Sequence, residues 1–244
     1  MAVNQYIDIK VNKRAKFRRL FNPGVQLCLL CDSVLGVSDK LLCCACVSDL
    51  PENRDACPIC ALPDTYKQPC VSCINRAPPY TRVLALYRYE YPVNRLIQYI
   101  KFHSRLDVAR FMGQQMARRF GNNCNPPDCL IPVPLHAGRL AERGYNQAQE
   151  IALSISGLLK IAVVSKNVRR IIATRTQTEL SAKQRKHNVH GVFTLARPVM
   201  PEYRHVVIVD DVVTTGATVT EMAKLLKVSG VARVDVWACA RAIL

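Results

Sequence analysis

No long apolar run interrupts this sequence. Half of its 244 residues are hydrophobic, yet every twenty-residue window contains a charge or a proline. A bilayer span needs about 20 consecutive, predominantly apolar residues. A membrane-spanning chain is therefore excluded at this level, and the protein reads as soluble. No Gly-Lys-Ser/Thr follows any strand-like run, which excludes a Walker phosphate loop. No histidine stands at metal-ligand spacing with an acid, so His103, His136, His187 and His190 read as surface or phosphate-adjacent groups. Basic residues do open the chain, at Lys10, Lys13, Arg14, Lys16, Arg18 and Arg19. The stretch after them is broken by Asn22, Pro23 and Asp32 and lacks a small-residue cleavage site, so residues 1–24 read as a basic arm rather than a secretory signal.

Acidic residues are also scarce, 18 against 34 Lys and Arg, for a formal net charge of +16. The deficit is local. Residues 1–80 hold 10 bases and 7 acids, residues 81–200 hold 19 and 6, and residues 201–244 hold 5 of each. An excess of +13 over the middle 120 residues exceeds what solubility asks for and points to a polyanionic partner. The densest part carries Lys166, Arg169, Arg170, Arg175, Lys183, Arg185 and Lys186, with Glu179 the sole acid between 160 and 190. Lysine and arginine against phosphate supply most sequence-independent affinity for nucleic acid, so these seven are the candidate nucleic-acid contacts. Tyr87, Tyr89, Tyr91 and Tyr99 offer rings for stacking on bases, although tyrosines at such spacing more often belong to a core or its boundary.

Cysteine is abundant, with 12 in all. Eight form four C-x-x-C pairs: Cys28 and Cys31, Cys43 and Cys46, Cys57 and Cys60, Cys70 and Cys73. Two residues between thiolates let one tight turn aim both sulfurs at a single ion, and two such turns complete a tetrahedral zinc site. Sequential pairing gives two zinc sites, crossed pairing is the alternative, and Cys44 competes with Cys43 as a ligand. Residues 25–78 thus read as a zinc-ribbon module whose folding free energy comes from metal, because large apolar residues are too few there to make a core. Thiols used for metal rather than disulfides imply a reducing, cytoplasmic compartment. Cys124, Cys129 and Cys239 read as buried thiols.

From residue 79 to 244 strand-like and helix-like runs alternate. RVLALYRYE, CLIPVP, HVVIVDD and VARVDVWACA have strand character. NRLIQYIKF, LDVARFMGQQMARRF, RLAERGYNQAQEIALSISGLL and GATVTEMAKLLKVSG carry apolar residues at helical spacing. Such alternation predicts an α/β fold, a parallel sheet flanked by helices. In such sheets ligands bind at the carboxyl ends of strands. At one of those ends, VVIVDDVVTTGAT places Asp210 and Asp211 where both carboxylates can turn into one crevice. Thr214, Thr215, Gly216, Ala217 and Thr218 then open a helix whose free amides and hydroxyls suit a phosphate. Acids beside a phosphate cradle need another task, such as accepting hydrogen bonds from a sugar diol. The ligand implied is a sugar carrying a phosphate.

This stretch resembles the loop for 5-phosphoribosyl-1-pyrophosphate (PRPP) in type I phosphoribosyltransferases. Its surroundings resemble the ComF family of competence proteins: the double cysteine ribbon, PVPLHAGRLAERGYNQ over 132–147, and the spaced set Thr174, Gln177, Leu180, Ser181, Arg185, Asn188, Gly191 and Phe193. The resemblance implies a type I phosphoribosyltransferase-like sheet with an N-terminal zinc ribbon. It implies that Asp210 and Asp211 hold the ribose hydroxyls, that residues 214–218 bind the 5-phosphate, and that magnesium accompanies PRPP. PVPLHAGR would bind pyrophosphate, with a cis peptide expected at Leu135-His136 and with Arg139 and Arg143 on one helix face toward the ligand. Lys101, in YIKFHSRL, resembles a lysine at the matching place in ComF relatives and is expected to touch the ligand. Family membership further implies a part in natural transformation, receiving incoming single-stranded DNA in the cytoplasm beside a ComFA-like helicase. The alternative is a working transferase that passes ribose 5-phosphate to a base. Purine-salvage members with an Asp just before Thr-Gly use it near the base, whereas this chain has Thr214 there.

Overall fold

The structure, a computed structural model, describes residues 25–36, 41–121, 126–172, 191–196 and 203–243. The basic arm of residues 1–24 and the candidate contacts Arg175, Lys183, Arg185 and Lys186 lie outside the described residues. So do Cys124, His187, His190 and the members of the spaced set from Thr174 to Asn188. By packing the chain divides into two compact units, Met1–Leu50 and Pro51–Leu244. The first cysteine quartet falls in the smaller unit and the second in the larger.

The smaller unit is held by local turns. Cys28 N–H donates to Ser33 O at 2.8 Å, Leu29 N–H to Leu41 O at 3.0 Å, and a bridge pairs Leu27 with Val34. A one-turn helix, α1 (Cys44–Ser48), closes it.

The larger unit is built on a five-stranded parallel sheet. Its strands are β1 (Arg82–Arg88), β2 (Cys129–Pro132), β3 (Ala162–Val163), β6 (His205–Val213) and β7 (Arg233–Arg241). Their spatial order is β1-β7-β6-β2-β3. The central strands β6 and β7 are buried over nearly their whole lengths, as helices on both faces require. After the one-turn helix α2 (Val71–Asn75), the flanking helices are α3 (Val93–Phe102), α4 (Leu106–Phe120), α5 (Ala137–Arg143), α6 (Gln147–Leu159) and α7 (Ala217–Val228). Trp237 of β7 is fully buried with its ring 5.5 Å from that of Phe120 in α4. No helix among the described residues is long and apolar enough to cross a membrane.

The expected strands and helices are present, with one correction. The helix expected over 139–159 is two helices, α5 and α6. Gly144 ends α5 at φ 80°, a left-handed conformation that a residue with a Cβ adopts only at a cost. Asn146 then starts α6 afresh, its side chain accepting from Ala148 N–H at 3.0 Å. The break lets the chain turn a corner that a continuous helix would overshoot. A small hairpin was also not anticipated: β4 (Val168–Arg170) pairs antiparallel with β5 (Phe193–Leu195).

The second cysteine pair of knuckles packs into this larger unit. Segment 51–61 runs beside β1, the edge strand: Arg88 N–H donates to Pro51 O at 2.8 Å, Asn53 N–H to Leu86 O at 3.0 Å, and Val83 N–H to Ile59 O at 2.8 Å. An exposed edge invites pairing with other chains, and this segment covers it. Ala61 and Tyr80 join the main core, with Ile59 against it. At the opposite, amino-terminal ends of the strands, Arg82, Arg233 and His205 converge on buried Asp235, at 3.2, 2.8 and 3.3 Å. Burial opposes ionisation of Asp235, but these partners outweigh it and hold its pKa down at about 2.

Candidate functional site

The carboxyl end of β6 leads into the opening loop of α7. Gly216 occupies the N-cap position with φ 77°, so the turn depends on a residue without a Cβ. Space is not the constraint, since a Cβ there would lie 3.8 Å from the Tyr80 hydroxyl. Thr215 Oγ1 accepts from Ala217 N–H at 3.2 Å, which caps the first turn from inside the loop. A shallow cleft follows, lined by Asp210, Val212, Val213, Thr214, Gly216, Ala217, Thr218 and Val219. All five residues of the expected phosphate cradle, 214–218, thus gather at or beside one helix N-terminus, where the dipole favours an anion.

The two acids do not turn into one crevice as the sequence suggests: β6 runs on to Val213, so both are buried within the strand and its alternation gives them different neighbours. Asp210 lines the cleft, and its Oδ1 accepts from Asp211 N–H at 2.9 Å. Asp211 Oδ2 lies 3.1 Å from the Nζ of Lys101, on α3. Burial pushes the Asp210 pKa up to about 8, with the Asp211 charge adding to the effect and Lys101 opposing it. Burial also pulls the Lys101 ammonium down, but Asp211 and Asp210 more than compensate, and its pKa ends above the usual lysine value. The half-buried Lys101 ammonium pairs with Asp211, and burial keeps a proton on Asp210 near neutral pH. A divalent cation would displace that proton, and the carboxylate oxygens can accept hydrogen bonds from hydroxyl groups.

The 132–147 segment forms the neighbouring wall. His136 caps α5, its Nδ1 accepting from Gly138 N–H at 3.2 Å. The Leu135-His136 peptide is trans, contrary to the sequence expectation; the cis bond among the described residues is Tyr91-Pro92. Extended backbone at His136, φ −63° and ψ 144°, already fits a helix N-cap, so no isomer change is needed to place it. Arg143 donates to Gln147 Oε1 at 2.7 Å and lies 6.0 Å from the Phe102 ring centre. Arg170 bridges to His136 through its backbone and sits 5.9 Å from the Phe193 ring centre. Burial lowers its pKa, the charge of Arg139 lowers it further, and Asp210 raises it, so Arg139, Arg170 and Asp210 share one electrostatic environment. Lys166 and Arg169 are exposed. Of the four tyrosines, Tyr87 is buried, Tyr91 is exposed, and Tyr99 lies under the Arg95 guanidinium at 5.6 Å.

The cysteines pair in sequence order. Cys28, Cys31, Cys43 and Cys46 bring their sulfurs within 4.8 Å of one another, as do Cys57, Cys60, Cys70 and Cys73. Cys44 stands outside both sets. The separations of Cys31 from Cys43, 3.7 Å, and of Cys60 from Cys70, 3.6 Å, match the ~3.8 Å between thiolates on a tetrahedral ion with bonds of about 2.3 Å. In each set one amide donates to the leading sulfur, Cys43 N–H to Cys28 Sγ and Cys70 N–H to Cys57 Sγ, both at 3.3 Å. The hydroxyl and backbone N–H of Ser33 hold the Cys31 thiol down to about 6, the thiolate form a metal takes. Two four-cysteine clusters able to hold zinc are therefore built into the chain.

Sequence reasoning missed Arg241. Its side chain is buried, and its guanidinium donates to Cys60 O at 3.0 Å, Val213 O at 3.2 Å, Ala242 O at 2.5 Å and Thr214 O. A single charge in the apolar run VWACARAIL was the available signal. Its meaning depends on the parallel register, which sets Arg241 opposite Val213.

Comparison with known proteins fits this geometry. Residues 140–242 match the family model of the phosphoribosyl transferase domain, which gives the class of the sheet and its loop. DNA utilization protein YhgH of Escherichia coli (strain K12) is 37% identical over 228 residues, covering 91% of this chain and 98% of that protein. Competence protein F of Haemophilus influenzae is 34% identical over 224 residues, 88% of this chain and 96% of its own. ComFC of Bacillus subtilis is 23% identical over 84% of this chain and 90% of its own. The chain belongs to the ComF family. Among solved structures, a glutamine PRPP amidotransferase from B. subtilis covers 59% of this chain and 30% of its own, with 20% identity and a TM-score of 0.40.

Proposed function

We propose that the cleft at the end of β6 binds PRPP with magnesium, and that the protein uses this site in DNA uptake, receiving incoming single-stranded DNA in the cytoplasm. The observation that carries the first part is the buried pair Asp210 and Asp211, partnered by Lys101 and standing directly before the Gly216 turn. The acids take the ribose hydroxyls, residues 214–218 take the 5-phosphate, and Leu135, His136, Arg139 and Arg143 flank the pyrophosphate. Arg170, which sequence alone groups with the nucleic-acid contacts, belongs on this reading to the pyrophosphate side of the cleft. Magnesium held beside Asp210 and Asp211 would neutralise pyrophosphate charge and favour the ionised form of Asp210. Each cysteine quartet holds one structural zinc.

The second part is supported by the names of the relatives, competence and DNA utilization proteins. Exposed Lys166 and Arg169 support it too, with Arg175, Lys183, Arg185 and Lys186 as further contacts and a ComFA-like helicase as partner. Calorimetry with PRPP and magnesium, with and without a short single strand, tests both parts at once. Binding of both ligands with coupled affinities supports the reading, and a protein that takes the strand but not PRPP removes its first part.

A working transferase is the second reading, favoured by the intact acid pair. The carboxylates would stabilise the cation-like sugar as pyrophosphate leaves, and a nucleobase nitrogen would attack the anomeric carbon. Thr214 offers no carboxylate toward a base, which places this reading second. Pyrophosphate release that requires one particular base, and vanishes in Asp210→Asn with Asp211→Asn, would promote it.

A further inference from the structure

A buried arginine usually faces a carboxylate, but no ion pair joins Arg241 to an acid among the described residues. Four backbone carbonyls take its donors instead. Two of them, Val213 O at the end of β6 and Thr214 O in the loop that opens α7, flank the phosphate turn, and one, Cys60 O, belongs to the second cysteine quartet. Across a trans peptide the carbonyl of one residue and the N–H of the next point in opposite directions. Holding Val213 and Thr214 carbonyls on Arg241 therefore aims the amides of Thr214 and Thr215 away from it. Tyr80 also approaches the loop. Its phenol is buried, and its hydroxyl lies 3.8 Å from the place a Cβ on Gly216 would take.

We propose that Arg241 is a positioning residue that couples the Cys57, Cys60, Cys70 and Cys73 metal site to the phosphate loop, so that loading of this quartet sets the shape of the loop. An ordered knuckle fixes Cys60 O, Cys60 O fixes the Arg241 guanidinium, and the guanidinium fixes the two loop carbonyls. Opening the knuckle frees one anchor, and the 213–216 turn relaxes. The ligand consequence rests on the reading of the cleft as a PRPP site; the coupling of quartet to loop does not.

The test uses the full chain and reads the coupling without any ligand. Hydrogen exchange is followed in the peptide spanning residues 209–220, in wild type, Arg241→Lys, Cys73→Ser and Cys46→Ser, with zinc content measured for each. Lysine keeps the charge but cannot span from Cys60 to the loop with one nitrogen. The proposal expects loop exchange to rise about tenfold in Arg241→Lys and Cys73→Ser, with peptides of α4 and β2 unchanged, and to stay at the wild-type rate in Cys46→Ser. It expects PRPP affinity to fall about tenfold in the same two variants. Loop exchange at the wild-type rate in Cys73→Ser overturns it, and so does an equal rise in Cys46→Ser. Should Arg241→Lys fail to fold, Cys73→Ser and graded zinc withdrawal from the wild type decide. Wild type that binds no PRPP ends the ligand reading, while the exchange rates still decide the coupling.

Discussion

Lys101 Nζ stands 3.1 Å from Asp211 Oδ2, joining α3 to the end of β6 across more than a hundred residues of sequence. The Asp211 side chain is almost fully buried, so this ammonium is what allows a second carboxylate next to Asp210. Removing one partner of a buried pair leaves an uncompensated charge, which costs about 3–5 kcal/mol, with the lower end expected for a lysine still touched by solvent. Lys101→Met should accordingly lower stability by about 3 kcal/mol in urea unfolding. Asp211→Asn added to Lys101→Met should recover part of that loss, because it removes the orphaned charge. A double variant no better than the single one would mean that the lysine stem, not its charge, matters.

Asp210 makes stability fall with rising pH. In the unfolded chain its carboxyl titrates near 4, and in the folded chain near 8. Between those values the native state holds a proton that the unfolded state has released, so the slope of unfolding free energy against pH is negative there. The contribution is complete below about pH 4 and is lost as pH rises through about 8. Thermal melts from pH 5 to 8.5 should show a decline in wild type that is largely absent in Asp210→Asn. Where that window is flat in both proteins, Asp210 is not protonated as described.

The first quartet distinguishes two adjacent cysteines. Cys43 contributes a sulfur to the cluster and Cys44 does not. Zinc content should therefore fall from two ions per chain to one in Cys43→Ser and remain at two in Cys44→Ser. Equal loss in both variants would place the ligand boundary elsewhere in the knuckle.

Lys166 and Arg169 should serve nucleic acid alone. Reversing both to glutamate should weaken binding of a mixed-sequence single strand and shallow its salt dependence by about one unit of slope for each phosphate contact removed. PRPP affinity should be unaffected. Arg170→Glu should do the opposite, since its guanidinium shares an environment with Arg139 and Asp210. Identical effects from Arg169 and Arg170 would show that the hairpin acts as one charged surface.

Much of this arrangement is legible in the sequence because its signals are local. The runs at 205–213 and 233–241 are strands buried on both faces and read as such, and C-x-x-C spacing reports the geometry of a turn. Other features depend on distance through space. The break at Gly144 is masked by apolar spacing that continues in register across it. The β4 and β5 strands are three residues each and find one another over a long separation, so neither has a pattern of its own. The different surroundings of Asp210 and Asp211 follow from strand alternation once β6 is known to run to Val213. Arg241 acquires its role only through the pairing of β6 with β7. Its partners are carbonyls, which leave no trace in side-chain identity.

A crystal soaked with PRPP and magnesium tests the central claim most directly. The account predicts density for the pentose with its hydroxyls on Asp210 and Asp211 and its 5-phosphate on the amides and hydroxyls of residues 214–218. Density elsewhere on the protein, or a cleft without ligand at saturating concentration, contradicts it.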